Sequence, residues 1–162
     1  MESGPQEVDQ HPGVHFPPPS LFVIAIGVGV LTERFFPYPL SNLVVIPGRP
    51  IIGWIGITVG ATILIWSLMT FFQNRTAVYP NQPATLVVDH GPYRYSRNPM
   101  YVALTAINFG VAMLADNLWM LLLLPVVLVS VSVFIIRREE AYLKQAFGEE
   151  YTEYCNRVRR WV

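Results

Sequence analysis

The chain has 162 residues, of which 52% are hydrophobic and only 14% are charged, and its formal net charge is zero. An ordinary soluble domain carries about 25% charged residues, so this composition is typical of an all-α integral membrane protein. The zero net charge gives no indication of nucleic-acid binding. A single cysteine, Cys155, excludes an internal disulfide. At this length we expect one domain.

Residues 1–19 are predicted to form a disordered tail, because they combine five prolines with acidic side chains. They have neither the basic start nor the apolar core of a signal peptide. His11 and His15 lie in this tail without a third ligand nearby, so we expect no metal site. Residues 20–162 are then predicted to form a single membrane domain.

Four apolar segments follow, close to the length of roughly 20 residues that a helix needs to cross a bilayer. They cover residues 20–36, 51–72, 99–115 and 118–136. The second segment contains Gly53, Gly56 and Gly60, a spacing that suits close helix packing. The sequence ADN at 115–117 is typical of a tight turn, so the last two segments are expected to form a helical hairpin.

The basic residues predict the orientation. Nine of them lie in the loop at 73–98 or in the tail at 137–162, whereas the opposite side has Arg49 and, near its edge, Arg34. By the positive-inside rule, the polar loop, the tail and both termini should be cytoplasmic. Arginine outnumbers lysine ten to one, which favours a bacterial source and hence the inner membrane.

The tail at 137–162 is predicted to be a cytoplasmic amphipathic helix, which Gly148 is expected to interrupt. Apolar side chains recur there at steps of three or four residues and so share one helical face. They are Leu143, Phe147, Tyr151, Tyr154, Val158 and Trp161.

The stretch GPYRYSRNPMY, residues 91–101, is unusually polar for a segment that precedes an apolar helix. Asn98 is a favourable N-cap and Pro99 a favourable first helical residue. The positive end of that helix favours an anionic group, and Arg94 and Arg97 add positive charge beside it. The alternative is that these arginines and tyrosines are ordinary interfacial anchors.

The sequence RREE at 137–140 follows the last apolar segment. Two carboxylates are unexpected there, since membrane exits prefer basic residues. Glu139 and Glu140 could accept hydrogen bonds from hydroxyl groups or an amine. The alternative is helix pairing, such as Glu140 with Lys144. The predicted hairpin places Asn98 and Glu139 at the same membrane face.

These two motifs, separated by a hairpin and followed by REEAYLKQAFGEEYTEYCNRVRRW, resemble the isoprenylcysteine carboxyl methyltransferase and phospholipid methyltransferase superfamily. The resemblance covers roughly residues 76–161. It implies S-adenosylmethionine-dependent methyl transfer to a lipophilic acceptor inside a small helical membrane protein. The cofactor would lie at the cytoplasmic side, between the loop before the hairpin and the tail after it.

The charges of the two motifs add two candidates for the site, and the resemblance implies the cofactor contacts. Arg97, which would meet the cofactor carboxylate, and Glu140, which would hold the tail or the cofactor edge, are taken as catalytic candidates. The positions expected to contact the cofactor are Thr85, Leu86, Val87, Val88, Tyr93, Asn98, Pro99, Met100, Tyr101 and Glu139.

Two departures bear on the acceptor. Isoprenylcysteine enzymes usually have histidine at the position of Asn98, whereas phospholipid enzymes carry Asn-Pro-Met-Tyr as here. An arginine that the isoprenylcysteine enzymes use near the substrate carboxylate falls at Ile135. The acceptor could therefore be a lipophilic thiol or carboxylate, or a phospholipid amine, and a non-catalytic membrane scaffold is a third possibility.

Overall fold

A computed structural model describes residues 19–73 and 86–162. The predicted tail, except its last residue, and Thr85 lie outside these ranges. Within the described ranges the regular elements are all helical. In chain order they are α1 (Pro19–Phe35), α2 (Leu40–Leu43), α3 (Arg49–Gln73), a 3₁₀ turn (Gly91–Arg94), α4 (Pro99–Ala115), α5 (Leu118–Ser130), a π-helical segment (Val131–Ile136) and α6 (Arg137–Arg157).

Among the residues that the structure describes, two helices are long and apolar enough to cross a membrane. One is α3, with 25 residues, and the other is the continuous helix that begins at Leu118. Helices α1 and α4 are apolar but have 17 residues each. The all-helical prediction is therefore confirmed for the described residues, while four membrane spans remain a prediction.

Helices α3 and α4 pack with their backbones almost in contact, as the glycine spacing predicts. A Cβ atom built on Gly60 would lie 2.6 Å from the carbonyl oxygen of Ala103. A Cβ atom built on Gly110 would lie 2.6 Å from the carbonyl oxygen of Gly53. Real Cβ atoms do not approach so closely, so only glycine permits this separation.

The tight turn between α4 and α5 is confirmed. Asp116 adopts a left-handed conformation with φ of 54°. The Asn117 side chain then caps α5 by accepting from the Met120 backbone at 2.9 Å, and it donates to the carbonyl of Gly29 at 3.1 Å. A hydrogen bond from Ser41 lowers the pKa of the Asp116 carboxyl. This turn therefore ties α1, α2 and the hairpin together at one end of the molecule.

The boundary predicted at residue 136 is not a helix end. The helix that begins at Leu118 continues past residue 136 into α6, and the π-helical segment lies where the sequence predicts the membrane exit. π-Helical segments of this kind are frequent at functional sites. The expected interruption lies at Gly148, whose φ of 53° and ψ of −117° are not helical.

Candidate functional site

The polar loop packs onto α3 and α6. Tyr93, in the 3₁₀ turn, is buried, and its ring meets Phe71 edge-on with centroids 5.0 Å apart. The Tyr154 hydroxyl donates to the backbone carbonyl of Tyr93 at 2.8 Å. Burial raises the pKa of the Tyr93 hydroxyl, so this group stays protonated and can donate a hydrogen bond.

Helix α4 begins where the sequence predicts, with Asn98 at the N-cap and Pro99 as the first residue. The capping role predicted for the Asn98 side chain is wrong, because that side chain makes no hydrogen bond to the start of the helix. Its amide nitrogen donates instead to the carbonyl of Arg160 at 3.0 Å. An amide offers donors as well as an acceptor, and here the donor is used to hold a distant segment.

Tyr101 and Glu139 form the hydrogen-bonded pair at the centre of the site. The Tyr101 hydroxyl donates to the Glu139 carboxylate, at 3.2 Å to Oε1 and 3.4 Å to Oε2. Protein atoms surround Glu139 on most sides, although its side chain keeps some exposed surface, and the partly buried position around this carboxylate is called the recess below. Burial raises the pKa of Glu139 from 4.5 to about 7.

Tyr93 lies near the Tyr101–Glu139 pair. The charge of Glu139 contributes to the raised pKa of the Tyr93 hydroxyl, which places the two groups within electrostatic range. Three of the predicted site residues, from the loop, from α4 and from α6, therefore converge. A recess with one carboxylate and two tyrosines can accept hydroxyl or ammonium donors.

Glu140 faces a second cluster made of arginines. Its carboxylate lies 3.1 Å from Arg97 Nη1, and Arg160 binds it through Nε at 3.0 Å and Nη2 at 2.6 Å. The side chains of Glu140 and Arg97 are 11% and 15% exposed. Glu140 thus meets two arginines and not Lys144. The sequence reasoning missed Arg160, which lies 20 residues from its partner.

Residues 158–162, called the strap below, cross the start of α4. The Arg97 backbone N–H donates to the carbonyl of Arg159 at 2.9 Å. The Ser96 hydroxyl, like the Asn98 amide, donates to the carbonyl of Arg160. The strap is therefore fixed to the polar loop by backbone as well as side-chain contacts.

The remaining predicted site residues surround these clusters. Pro99 and Val88 are buried, and Met100 and Leu86 are partly buried. Val87 packs against a cluster formed by side chains of α6 and the strap, Tyr151, Tyr154 and Val158, which Leu143, Phe147 and Cys155 also touch. The residues that the structure describes contain no group of side chains suited to hold a metal ion.

An apolar groove of about 740 Å³ runs between α4 and α5 and reaches the π-helical segment. Its walls are almost entirely aliphatic and aromatic. They include Val102, Thr105, Phe109, Leu128, Ser132 and Trp161. The sequence reasoning did not identify this groove, since its residues read as ordinary membrane-helix side chains.

Comparison with known proteins connects these features. The sequence profile of the family described as Phospholipid methyltransferase matches residues 49–150. A Protein-S-isoprenylcysteine O-methyltransferase of Schizosaccharomyces pombe is 37% identical over 87 residues, which are 54% of this chain and 36% of the yeast protein. An uncharacterized protein of Haemophilus influenzae is 35% identical over 63 residues, which are 39% of this chain and the whole of that protein.

The chain therefore spans only about a third of the length of the yeast enzyme. No solved structure matches it. The region shared with the family includes α3, the polar loop, the hairpin and most of α6, which are the elements that form the recess.

Proposed function

Because the chain belongs to the phospholipid methyltransferase family, we propose that it is an integral membrane methyltransferase that uses S-adenosylmethionine and methylates a lipophilic acceptor. The observation that carries this proposal is the Tyr101–Glu139 pair, a carboxylate held in a recess where a membrane helix exits. The proposal places the recess, the polar loop and both termini on the cytoplasmic side. The bias of basic residues towards that side supports this orientation.

The residues present fit the cofactor. Tyr101 donates a single proton to Glu139, so the carboxylate keeps further lone pairs for ribose hydroxyls. Arg97 Nε is buried and has no acceptor among the described residues. This nitrogen lies beside the positive start of α4, where it would meet the cofactor carboxylate. Residues 86–88 would offer backbone groups, as the resemblance implies.

When bound, the cofactor supplies a methyl group on a positively charged sulfur. The protein then needs to align the acceptor with that methyl group and to exclude water. We assign Tyr101 the role of orienting the Glu139 carboxylate. Glu140 is assigned the positioning of Arg97 and the strap, through the contacts at 3.1 Å and 2.6 Å.

The apolar groove supports a lipophilic acceptor. It lies between the two helices of the hairpin, and Val102 in its wall directly follows Tyr101 in the chain. An acceptor could reach the recess from the bilayer while the cofactor enters from water. The leading acceptors are a lipophilic thiol or carboxylate.

A second candidate is N-methylation of a phospholipid amine. One observation favours it. Ile135, at the position where the resemblance leads us to look for an arginine, is buried in an apolar cluster with Val131 and Ile136. No cation is therefore supplied at that position for an acceptor carboxylate, whereas the Glu139 carboxylate could receive an ammonium group.

Transfer of a labelled methyl group tests the proposal. Purified protein in lipid nanodiscs is given labelled S-adenosylmethionine with an alkyl thiol, an S-prenylated cysteine or phosphatidylethanolamine. We expect one acceptor to gain label and Glu139→Gln to lose most of this transfer, while Glu149→Gln, an exposed position on the same helix, transfers normally. If the parent protein labels none of the three acceptors and no component of a total lipid extract, the enzyme proposal is wrong and the scaffold interpretation takes its place.

A further inference from the structure

The strap contacts the apolar groove through Trp161. The Trp161 side chain lines the groove. It also packs on the buried cluster that contains Tyr101, Val131 and Ile135. A single indole therefore touches both the groove and the cluster to which the site tyrosine belongs.

The position of Trp161 along the groove follows from the hairpin. Helices α4 and α5 are antiparallel, so Val102 near the start of α4 and Val133 in the π-helical segment mark one end of the groove. The strap is bound to residues 96–98, next to that end. Trp161 thus lies at the end of the groove nearest the Tyr101–Glu139 pair.

The groove suits hydrocarbon alone. Its two hydroxyl groups are already used, since Thr105 donates to the carbonyl of Tyr101 and Ser132 to that of Leu128, both at 2.7 Å. The rim is continuous with an exposed apolar face of α5, where Val129 is 62% exposed and Val126 is 58% exposed. A lipid hydrocarbon chain can enter from such a face without burying a polar group.

An ion pair lies directly before the indole in the chain. Arg160 directly precedes Trp161, and its guanidinium donates from Nε and Nη2 to the two carboxylate oxygens of Glu140. A bidentate pair restricts orientation more strongly than a single contact. The Glu140 carboxylate is in turn held by Arg97.

We propose that Trp161 is a specificity-determining residue that the Arg160–Glu140 pair positions. Its indole separates the hydrocarbon groove from the recess and limits the bulk of the acceptor that can pass. This inference rests on the proposed function, because it concerns which acceptor molecules can reach the same site. Replacing Trp161 with a smaller residue enlarges the passage. Breaking the pair releases the strap and has the same effect without altering the indole.

A binding experiment tests the placement without any catalysis. Replacing Trp54, Trp66 and Trp119 with phenylalanine leaves Trp161 as the only tryptophan, which is excited selectively over tyrosine at long wavelength, and a linear bromoalkane quenches tryptophan on contact. In nanodiscs we expect quenching of Trp161 that saturates and is reversed by the unbrominated alkane. A variant that keeps only Trp54, which is 62% exposed on α3, should show quenching that rises linearly and is not reversed.

The positioning role of the Arg160–Glu140 pair is tested in the same single-tryptophan protein. Arg160→Met should raise the bromoalkane concentration at half-saturation by about tenfold or more, the effect of losing hydrogen bonds between charged groups. Arg159→Met, an exposed neighbour with the same charge change, should leave it unchanged. Linear quenching of Trp161, or equal effects of the two substitutions, would overturn the inference.

Selectivity is tested with a lipid extract of mixed chain composition and labelled S-adenosylmethionine. We expect Trp161→Ala to shift labelled products towards branched chains by about tenfold, with Trp161→Phe intermediate, and with S-adenosylhomocysteine affinity unchanged in both variants. An unchanged product distribution overturns the inference. Absence of label with the parent protein overturns the proposed function instead, while the quenching result still decides whether Trp161 closes the groove.

Discussion

The neighbouring carboxylates of Glu139 and Glu140 should respond in opposite ways to the same substitution. Each change to glutamine removes one negative charge and preserves the size of the side chain. Glu140 is paired with two arginines, whereas Glu139 meets only a hydroxyl among the described residues. The structure therefore predicts that Glu140→Gln destabilises the ligand-free protein and that Glu139→Gln stabilises it.

The loss of stability expected for Glu140→Gln follows from the contacts of the Glu140 carboxylate. Removing one partner of a buried ion pair costs about 3–5 kcal/mol. Arg160 is 38% exposed, so solvent screens part of its interaction with Glu140. We therefore expect Glu140→Gln to lower the free energy of unfolding by about 2–3 kcal/mol. For a chain of this size that corresponds to a fall in melting temperature of about 5–10 °C.

The gain of stability expected for Glu139→Gln follows from the raised pKa of the Glu139 carboxyl. A carboxyl whose pKa rises from 4.5 to about 7 on folding holds its proton more tightly in the native state. Native stability is therefore highest below pH 4.5, falls as the pH rises to about 7 and then levels off. At about 1.4 kcal/mol per pH unit the ionised carboxylate costs about 3 kcal/mol at pH 8, which Glu139→Gln removes.

Thermal unfolding of the two variants in detergent at pH 8, without cofactor, measures both effects. The parent and Glu149→Gln, an exposed position, serve as references. We expect the melting temperature to rise for Glu139→Gln and to fall for Glu140→Gln. Shifts of the same sign in both variants would contradict the assignment of Glu139 to a recess and Glu140 to a structural ion pair.

Three further predictions concern the site, the packing and the topology. Affinity for S-adenosylhomocysteine should be about tenfold weaker at pH 6 than at pH 8, because only ionised Glu139 accepts hydroxyl donors freely; a flat profile would exclude this carboxylate from binding. Gly60→Val should lower the melting temperature by an overpacking cost of about 1–3 kcal/mol or more, whereas Gly27→Ala, whose added Cβ meets nothing within 4 Å, should not. In a Cys-free parent, Val45→Cys should react with an impermeant reagent outside intact cells and Glu149→Cys should not; the reverse pattern would invert the proposed orientation.

Sequence patterns predicted the elements that depend on local chemistry. The apolar stretches, the turn at 115–117 and the helix start at Pro99 correspond closely to the helices in the structure. The interruption at Gly148 was also predictable, since glycine adopts a positive φ without strain. In each case a few adjacent residues are enough to predict the local structure.

The contacts that complete the site were not predictable in this way. Arg160 reaches Glu140 across 20 residues, and the Asn98 amide reaches the strap across 62. Such pairings depend on how the residues after Gly148 fold back onto the polar loop. The π-helical segment was missed for a related reason, because its apolar sequence is equally compatible with a regular α-helix.

Calorimetric titration with S-adenosylhomocysteine tests the central claim most directly, namely that Glu139 belongs to a cofactor site. Losing a charged hydrogen-bond acceptor costs about 1.5–3 kcal/mol, so Glu139→Gln should bind roughly 10- to 150-fold more weakly than the parent at pH 8. Glu149→Gln should bind like the parent, and both variants should fold. If folded Glu139→Gln binds with parental affinity, the site assignment is wrong, and if the parent itself does not bind, the proposed activity is wrong.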